Sequence, residues 1–284
     1  MLYTYKPSLT VEEQVEYIEK NKRVVFNEIS KEKAMEILYI HNYINVVSPF
    51  KFIGIKWETR EDNGIRKPYA KKDEHGKHIY DRDIEFKELY DKYLEERSSY
   101  PIIFKNICEF ETLFNAIVSY HIFNNQIIND SSELTMFFAR LRLIVAQKNP
   151  YPTKQVHHLN NLDELIKQAN TCDNCYNFFD RLSLGDLLMI YTLLEEENKI
   201  EIFNEMKRRN PLVNQNNYSQ MEDQIFRMVA IRNCVYHANS LKILTLYYNL
   251  KRDDFRTKRD KESFENLIEK LIENYNENQE KSHP

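Results

Sequence analysis

The chain has 284 residues, a formal net charge of −4 and a pI near 6.1, so its overall charge does not indicate a nucleic-acid-binding protein. Only four glycines and eight prolines occur among long apolar and charged stretches, which predicts a mostly α-helical protein. No apolar run approaches the roughly 18 residues of a membrane span, and the first residues do not resemble a signal peptide. We therefore expect a cytoplasmic protein with one large domain or two small ones.

The N-terminal region, residues 1–57, is predicted to be a helical extension. Thr10 and Glu13 have the spacing of a capping box, and apolar residues follow at helical intervals. A second helix is predicted after Ser30. Residues 50–57 alternate in polarity, which is more typical of a strand.

Residues 58–82 are strongly polar and contain two glycines and a proline, which predicts an exposed insertion, either a loop or a hairpin. Tyr69 lies here among several basic residues. A solvated insertion is the simpler interpretation, and a flap that contacts phosphates is the functional one. The candidate RNA-binding residues of this segment are Arg66, Lys67, Lys71 and Lys72, with Lys77 nearby.

Residues 83–284 have a helical pattern almost throughout, and we predict that they form one helical domain. A helix around 86–93 and a long helix after Pro101 come first. Later helices are predicted at about 132–147, 161–169, 183–195, 199–209, 219–249 and 260–278. Ser219 and Glu222 have the spacing of a capping box at the start of the helix predicted at 219–249.

Cys172 and Cys175 form a lone CxxC pair. A structural zinc site needs four ligands and no second pair occurs, although His157 and His158 lie upstream. We therefore expect reduced thiols, no metal site and no other cofactor.

The hexapeptide at 232–237, RNCVYH, is the sharpest candidate for chemistry. Arg232 can neutralise a phosphate and His237 can transfer a proton, so with Asn233 they provide the groups that RNA cleavage without a metal ion needs. On a helix Asn233 and His237 are only about 40° apart, whereas Arg232 is about 140° from His237 and must reach over with its long side chain. Chance gives roughly 0.4 Arg-x4-His matches in such a composition, so the spacing alone also fits a half-buried histidine beside a surface arginine.

Several separated stretches occur in the order found in one protein family. They are 6–14 (KPSLTVEEQ), 38–43, 86–97, 107–121, 182–191 and the motif at 231–237. Together they resemble the Abi family of bacterial abortive-infection proteins, the AbiD/AbiF-like group, whose catalytic core is a HEPN domain. Asn45 and Asn115 stand where that family usually has arginines, so any RNA or partner contacts of those arginines differ here.

This resemblance implies a HEPN-like helical bundle with metal-independent endoribonuclease activity. His237 would act as general acid or base, Arg232 would hold the scissile phosphate, and Asn233 would orient the histidine or the phosphate. Glu111 is implied as a candidate supporting residue behind them, with a plain surface glutamate as the alternative. The products would be a 2′,3′-cyclic phosphate and a 5′-hydroxyl, and DNA would resist because it lacks the 2′-hydroxyl.

The resemblance also implies partners. HEPN nucleases generally assemble one site from two motifs, so a homodimer is expected, and a phage-defence toxin restrained by a small non-coding RNA is the implied biology. Further candidates to bind RNA are two basic clusters, for which solvated helix ends are the alternative. They are Lys207, Arg208 and Arg209, and Lys251, Arg252, Arg256, Lys258 and Arg259.

Three other functions remain open. One is a non-catalytic HEPN module that binds RNA or protein. Another is a HEPN toxin silenced by nucleotidylation of a tyrosine two residues after the histidine, a position that Asn239 occupies here. The third is a helical scaffold with no nucleic-acid role. Tyr120 and His121, which lie in one of the family-like stretches, are predicted to pack rather than to react.

Overall fold

Most of the chain is helical. The computed structural model describes residues 9–50, 52–62, 65–126, 128–148, 152–242, 244 and 264–273. Of these, 70% are helical and 6% lie in strands, which confirms the predicted mostly α class. The chain divides into two compact units, the first formed by residues 1–100 with 238–250 and the second by residues 101–237 with 251–284.

The described part of the first unit combines four helices with two small sheets. Its elements are α1 (Val11–Lys22), β1 (Val24–Val25), α2 (Lys31–His41), α3 (Tyr43–Val46), β2 (Trp57–Asp62), β3 (Ile65–Ala70), β4 (Ile84–Glu85) and α4 (Phe86–Ser98). Strand β1 pairs in parallel with β4, whereas β2 and β3 form an antiparallel hairpin running from Trp57↔Ala70 to Asp62↔Ile65. The polar segment at 58–82 therefore begins as a hairpin.

Helix α1 begins with the predicted capping box. The Thr10 hydroxyl accepts the Glu13 N–H at 3.2 Å, and the Glu13 carboxylate accepts the Thr10 N–H at 2.7 Å. These contacts satisfy donors that the first helical turn leaves unpaired. Behind the cap, the fully buried Ile18, Ala34 and Phe86 bring α1, α2 and α4 into one core.

Residues 50–57 do not form the strand that their alternation suggested. The residues from Phe52 to Gly54 are turns, Ile55 makes an isolated bridge to Tyr80, and regular strand begins only at Trp57. The physical reason is Gly54, whose φ of +73° is incompatible with extended backbone. A side chain there would also meet Ile84 Cγ1 at 2.9 Å.

Residues of the segment 238–242 complete the first unit by binding to α4. The Ser240 hydroxyl donates to both carboxylate oxygens of Glu96 at 3.0 Å, and the Lys242 N–H donates to the same carboxylate at 2.9 Å. Next to them, the Tyr100 hydroxyl donates to the Asn239 carbonyl at 2.6 Å. Burial raises the pKa of Glu96 despite these donors.

In the described part of the second unit, all the regular elements are helices. Its elements are α5 (Tyr100–Gln126, whose first residue belongs to the first unit), α6 (Ser131–Lys148), α7 (Pro152–Asn170), α8 (Cys175–Phe179), α9 (Leu184–Leu193), α10 (Glu196–Arg209) and α11 (Tyr218–Tyr236), with a further helical stretch at 264–273. Helices α6 and α7 pack along each other, and α9 packs against both α6 and α11. Helix α7 is longer than the predicted 161–169.

Helix α5 carries much of the core of this unit. Phe114 meets Tyr191 of α9 edge to face at 5.5 Å, and Phe123 meets Phe179 of α8 at 5.3 Å. The Asn115 amide donates to the Phe179 carbonyl at 2.8 Å. Asn115, one of the two departures from the family pattern, thus anchors the end of α8.

Helix α11 begins one residue earlier than predicted and ends well before residue 249. Its N-cap is Asn217, whose side chain accepts the Gln220 N–H at 3.0 Å, so the expected capping box of Ser219 and Glu222 is wrong. The helix ends at Tyr236 because Ala238 takes a φ of +54°, a left-handed conformation that a helix cannot continue.

Candidate functional site

The motif Arg232-Asn233-x3-His237 occupies the last turn and a half of α11. An apolar stripe fixes the rotation of this helix, because its members are fully buried: Met221, Ile225, Met228 and Ile231. Arg232 and Asn233 come next in the sequence and lie outside this buried stripe. Arg232 is half-buried and Asn233 is exposed.

Arg232 forms an ion pair with Glu111 of α5. Its Nε lies 3.2 Å from Glu111 Oε2, although the N–H is not aligned for a hydrogen bond. The other carboxylate oxygen accepts the Leu184 N–H at the start of α9, at 2.7 Å. One carboxylate therefore joins α5, α9 and α11, and the Arg232 side chain beside it is 32% exposed.

The side chains of Asn233 and His237 lie on the same side of the helix. The His237 N–H donates to the Asn233 carbonyl at 3.1 Å, which is the last helical hydrogen bond, and residues at this spacing are neighbours on the helix surface. His237 is the C-cap residue, and both side chains are exposed. The imidazole is thus accessible to a substrate.

An aromatic pair adjoins the histidine. The ring of Tyr236 is stacked on that of Phe104 from α5, with centroids 6.3 Å apart and planes at 27°, and it meets His237 edge-on at 5.1 Å. Tyr236 is nevertheless 71% exposed. The motif spacing gave no hint of these rings, although Tyr236 follows Arg232 by four residues and must lie on the same side of the helix.

Helices α5 and α11 run antiparallel along this site. Phe104 and Glu111 are two turns apart on α5, about 10 Å, and they contact Tyr236 and Arg232 of α11 in reverse order. The result is a strip with the ion pair at one end and the rings with His237 at the other. On α11 the two ends are one turn apart, about 6 Å.

Two thiols lie close to the strip, and the pKa of one of them, Cys108, is raised. Burial raises the pKa of Cys108, and the nearby carboxylate of Glu111 raises it further, against the opposing effect of Arg232. Cys234 is buried within α11. A thiol with a raised pKa is a poor nucleophile and a poor metal ligand, so Cys108 does not compete with His237 for a chemical role.

The predicted RNA-binding cations of the second unit are partly engaged. Arg208 and Arg209 both bind the Glu205 carboxylate in the last turn of α10. Lys207 donates to the Gln215 carbonyl at 2.9 Å and lies over the Phe203 ring.

The other basic candidates lie in the first unit or outside the described residues. Lys71 and Lys72 follow β3, and Lys71 Nζ is 4.0 Å from Glu58. The backbone of Arg66 and Lys67 is in β3, where the structure describes no side chains for them. The candidates Lys251, Arg252, Arg256, Lys258 and Arg259 all fall outside the described residues.

A second polar cluster, which the sequence patterns did not reveal, lies where α9, α10 and α11 meet. Lys199 Nζ is 3.3 Å from Glu222 Oε1, in an ion pair without hydrogen-bond alignment, and it donates to the Thr192 carbonyl at 2.6 Å. The Tyr191 hydroxyl donates to the Lys199 carbonyl at 3.0 Å. Burial raises the pKa of Glu222, and Lys199 only partly offsets this. Lys199 and Thr192 also line a cavity of about 290 Å³ together with His158.

Tyr120 and His121 depart in part from prediction. Tyr120 is 67% exposed, so the prediction that its side chain packs is wrong, because its position on α5 faces away from the core. His121 is mostly buried, and its Nδ1 lies 3.4 Å from Glu201. The Tyr120 ring meets the His121 ring edge-on at 5.8 Å.

The CxxC pair consists of free, half-buried thiols, and burial raises the pKa of Cys175. Among the residues that the structure describes, no group of three or more His, Cys, Asp or Glu side chains is placed to hold a metal ion. Within the same residues, none of the helices is long and apolar enough to cross a membrane.

No protein-family model matches the chain, and neither the curated proteins nor the solved structures contain a match.

Proposed function

We propose that this protein is a metal-independent endoribonuclease whose reactive groups are Arg232, Asn233 and His237. One observation carries the proposal. The exposed imidazole of His237 stands at the end of α11, one turn beyond a half-exposed Arg232 that Glu111 holds in place. A proton-transfer group and a fixed cation, both at the same end of one helix, are the groups that phosphodiester cleavage through the 2′-hydroxyl requires.

In the proposed reaction His237 takes the proton from the ribose 2′-hydroxyl. The 2′-oxygen then bonds to the adjacent phosphorus while the bond from phosphorus to the 5′-oxygen breaks. The protonated His237 imidazole of the second copy in the shared cleft supplies the proton that the 5′-oxygen gains. The products are a 2′,3′-cyclic phosphate and a 5′-hydroxyl, and no water is consumed.

Arg232 offsets the charge that develops on the non-bridging phosphate oxygens. Its ion pair with Glu111 fixes the guanidinium before substrate arrives, so little reorganisation is needed. Asn233 lies beside His237 on the same side of the helix and orients the imidazole or the phosphate by hydrogen bonding.

The assembly and biology belong to the same proposal. The chain would adopt a HEPN-like bundle of the Abi abortive-infection type and act in the cytoplasm as a phage-defence toxin. Two copies would combine their Arg232, Asn233 and His237 in one cleft, which the exposure of Asn233 and His237 at the surface of the second unit allows. A small non-coding RNA is the proposed inhibitor.

The decisive experiment is cleavage of synthetic RNA in EDTA by wild type, His237→Ala and the control His75→Ala. His75 is an exposed histidine of the first unit, so its loss should leave cutting unchanged. We expect wild type and the control to leave 2′,3′-cyclic phosphates, and the loss of His237 to reduce the rate by at least about 100-fold. Equal cutting by His237→Ala would refute the assignment of the histidine, and no cutting by wild type would refute the proposal.

A non-catalytic module that binds RNA or protein is the second candidate. The observation that favours it is the Arg232–Glu111 ion pair itself, because an ion pair between α5 and α11 also has a purely structural use, which is to hold the two helices together. RNA binding without cutting, unchanged in His237→Ala, would select this alternative.

A further inference from the structure

Tyr236 differs in its surroundings from an ordinary exposed tyrosine. One face of its ring lies against Phe104 of α5, and 71% of the residue stays exposed. His237 meets it edge-on at 5.1 Å. Two neighbouring rings therefore hold a flat aromatic surface in place, directly beside the candidate proton-transfer group.

The cation of the strip is one helical turn away. Arg232 precedes Tyr236 by four residues, so the two residues lie on the same side of α11, about 6 Å apart along its axis. A strand that places one phosphate at Arg232 can therefore present a neighbouring base to Tyr236. A nucleobase has a π-face that stacks on aromatic side chains, and its backbone has the charge that Arg232 complements.

We propose that Tyr236 is a stacking platform for an unpaired base of the RNA, next to the phosphate that Arg232 holds. The inference rests on the proposed function and specifies its substrate, because only a single-stranded or bulged segment can present an unstacked base. Stacking there also places the strand so that its 2′-hydroxyl lies beside His237.

The chain contains a matched control for this residue. Tyr120 is 67% exposed and meets His121 edge-on at 87°, much as Tyr236 meets His237 at 86°. Tyr120 precedes its histidine in the same way, but Ala116 stands where an arginine precedes Tyr236. A general effect of removing an exposed tyrosine next to a histidine would therefore appear at both positions.

The test is the affinity of the full-length protein for a single-stranded decamer of 2′-O-methyl RNA, which has no nucleophile and cannot be cut. We expect Tyr236→Ala to bind about tenfold more weakly or worse, and Tyr236→Phe and Tyr120→Ala to bind like wild type. Decamers with one abasic position should then locate the stacked base. One such position should weaken binding to wild type by a similar factor and have no further effect on Tyr236→Ala.

Other outcomes would refute the proposed stacking of a base on Tyr236. Unchanged affinity of Tyr236→Ala, or no abasic position coupled to it, would refute it while wild-type cleavage of ordinary RNA keeps the nuclease proposal intact. A change in the oligomeric mass of Tyr236→Ala would assign the ring to an interface between chains instead. Wild type that neither binds nor cuts RNA would refute both proposals.

Discussion

Glu111 joins three helices through one carboxylate. Its Oε1 accepts the N–H of the fully buried Leu184, and its Oε2 pairs with Arg232. The two contacts have different chemical needs, because the first requires only an oxygen whereas the second requires a charge. Substitutions at this position can therefore separate the structural contact from the one that serves the proposed site.

We predict different effects for Glu111→Gln and Glu111→Leu. The glutamine keeps an oxygen for the Leu184 N–H, so the free energy of unfolding should fall by less than about 1 kcal/mol while RNA cleavage falls at least tenfold. The leucine leaves a buried N–H without an acceptor, which should cost about 1–3 kcal/mol. Urea denaturation and cleavage rates measure the two effects.

Glu109 is the control for both changes, since it lies on the same helix with 58% of its side chain exposed. Its replacement should change stability by no more than about 0.5 kcal/mol and leave cleavage unaltered. Equal cleavage by Glu111→Gln and wild type would remove Glu111 from the proposed site.

Glu222 should make stability depend on pH. Burial raises its pKa above the ordinary 4.5, so between the two values the folded state binds more protons than the unfolded state. The contribution of Glu222 to the free energy of unfolding is then most favourable below pH 4.5, and it declines as the pH rises through the pKa of the folded state. The Lys199 ion pair opposes this decline without abolishing it.

We therefore predict that wild type loses stability relative to Glu222→Gln as the pH increases from about 4 to 7. Denaturant titrations at several pH values measure the difference, and the exposed Glu197→Gln variant on α10 should follow wild type throughout. A difference that stays constant, or that grows in favour of wild type with rising pH, would contradict the assignment.

Among the elements, α11 is terminated by its backbone conformation. Ala238 holds a φ of +54°, which costs a residue with a Cβ roughly 1–2 kcal/mol, and no glycine is present there to avoid that cost. The conformation stops the helix directly after His237. The exposure of the imidazole at a helix end therefore depends on the residue that follows it.

We predict that Ala238→Gly stabilises the protein by about 1 kcal/mol, because glycine adopts the left-handed conformation without strain. Thermal unfolding measures the change. Ala230, inside the same helix, is the control, since a glycine there should destabilise by about 1 kcal/mol instead. The same sign at both positions would show that the strain at Ala238 is not relieved by glycine.

Elements with local signals could be predicted from the sequence, and those that depend on tertiary contacts could not. The α1 capping box is confirmed because both partners lie within four residues. The helical periodicity predicted that α11 continues beyond Tyr236, because no glycine or proline marks the end of the helix. The alternating polarity predicted a strand at 50–57, although the positive φ of Gly54 interrupts it. The N-cap of α11 was misassigned because Asn217 and Ser219 are both good caps and only the structure distinguishes them.

For the molecule as a whole, the sequence indicated the motif but not what surrounds it. Arg232 and Glu111 are 121 positions apart, and their pairing depends on the antiparallel packing of α5 and α11. The stacking of Phe104 on Tyr236 depends on the same packing. Helical periodicity fixes which side of a helix a residue occupies, but it does not say which helix faces that side.

The discontinuity of the first unit has a consequence for synthesis on the ribosome. Glu96 lies on α4, but the Ser240 hydroxyl and the Lys242 N–H that it accepts belong to residues translated more than 140 positions later. The first hundred residues therefore leave the ribosome with this carboxylate lacking those donors. His237 is translated just before Ser240. The motif at the end of α11 is therefore completed at almost the same moment of translation as the first unit, which contains Glu96.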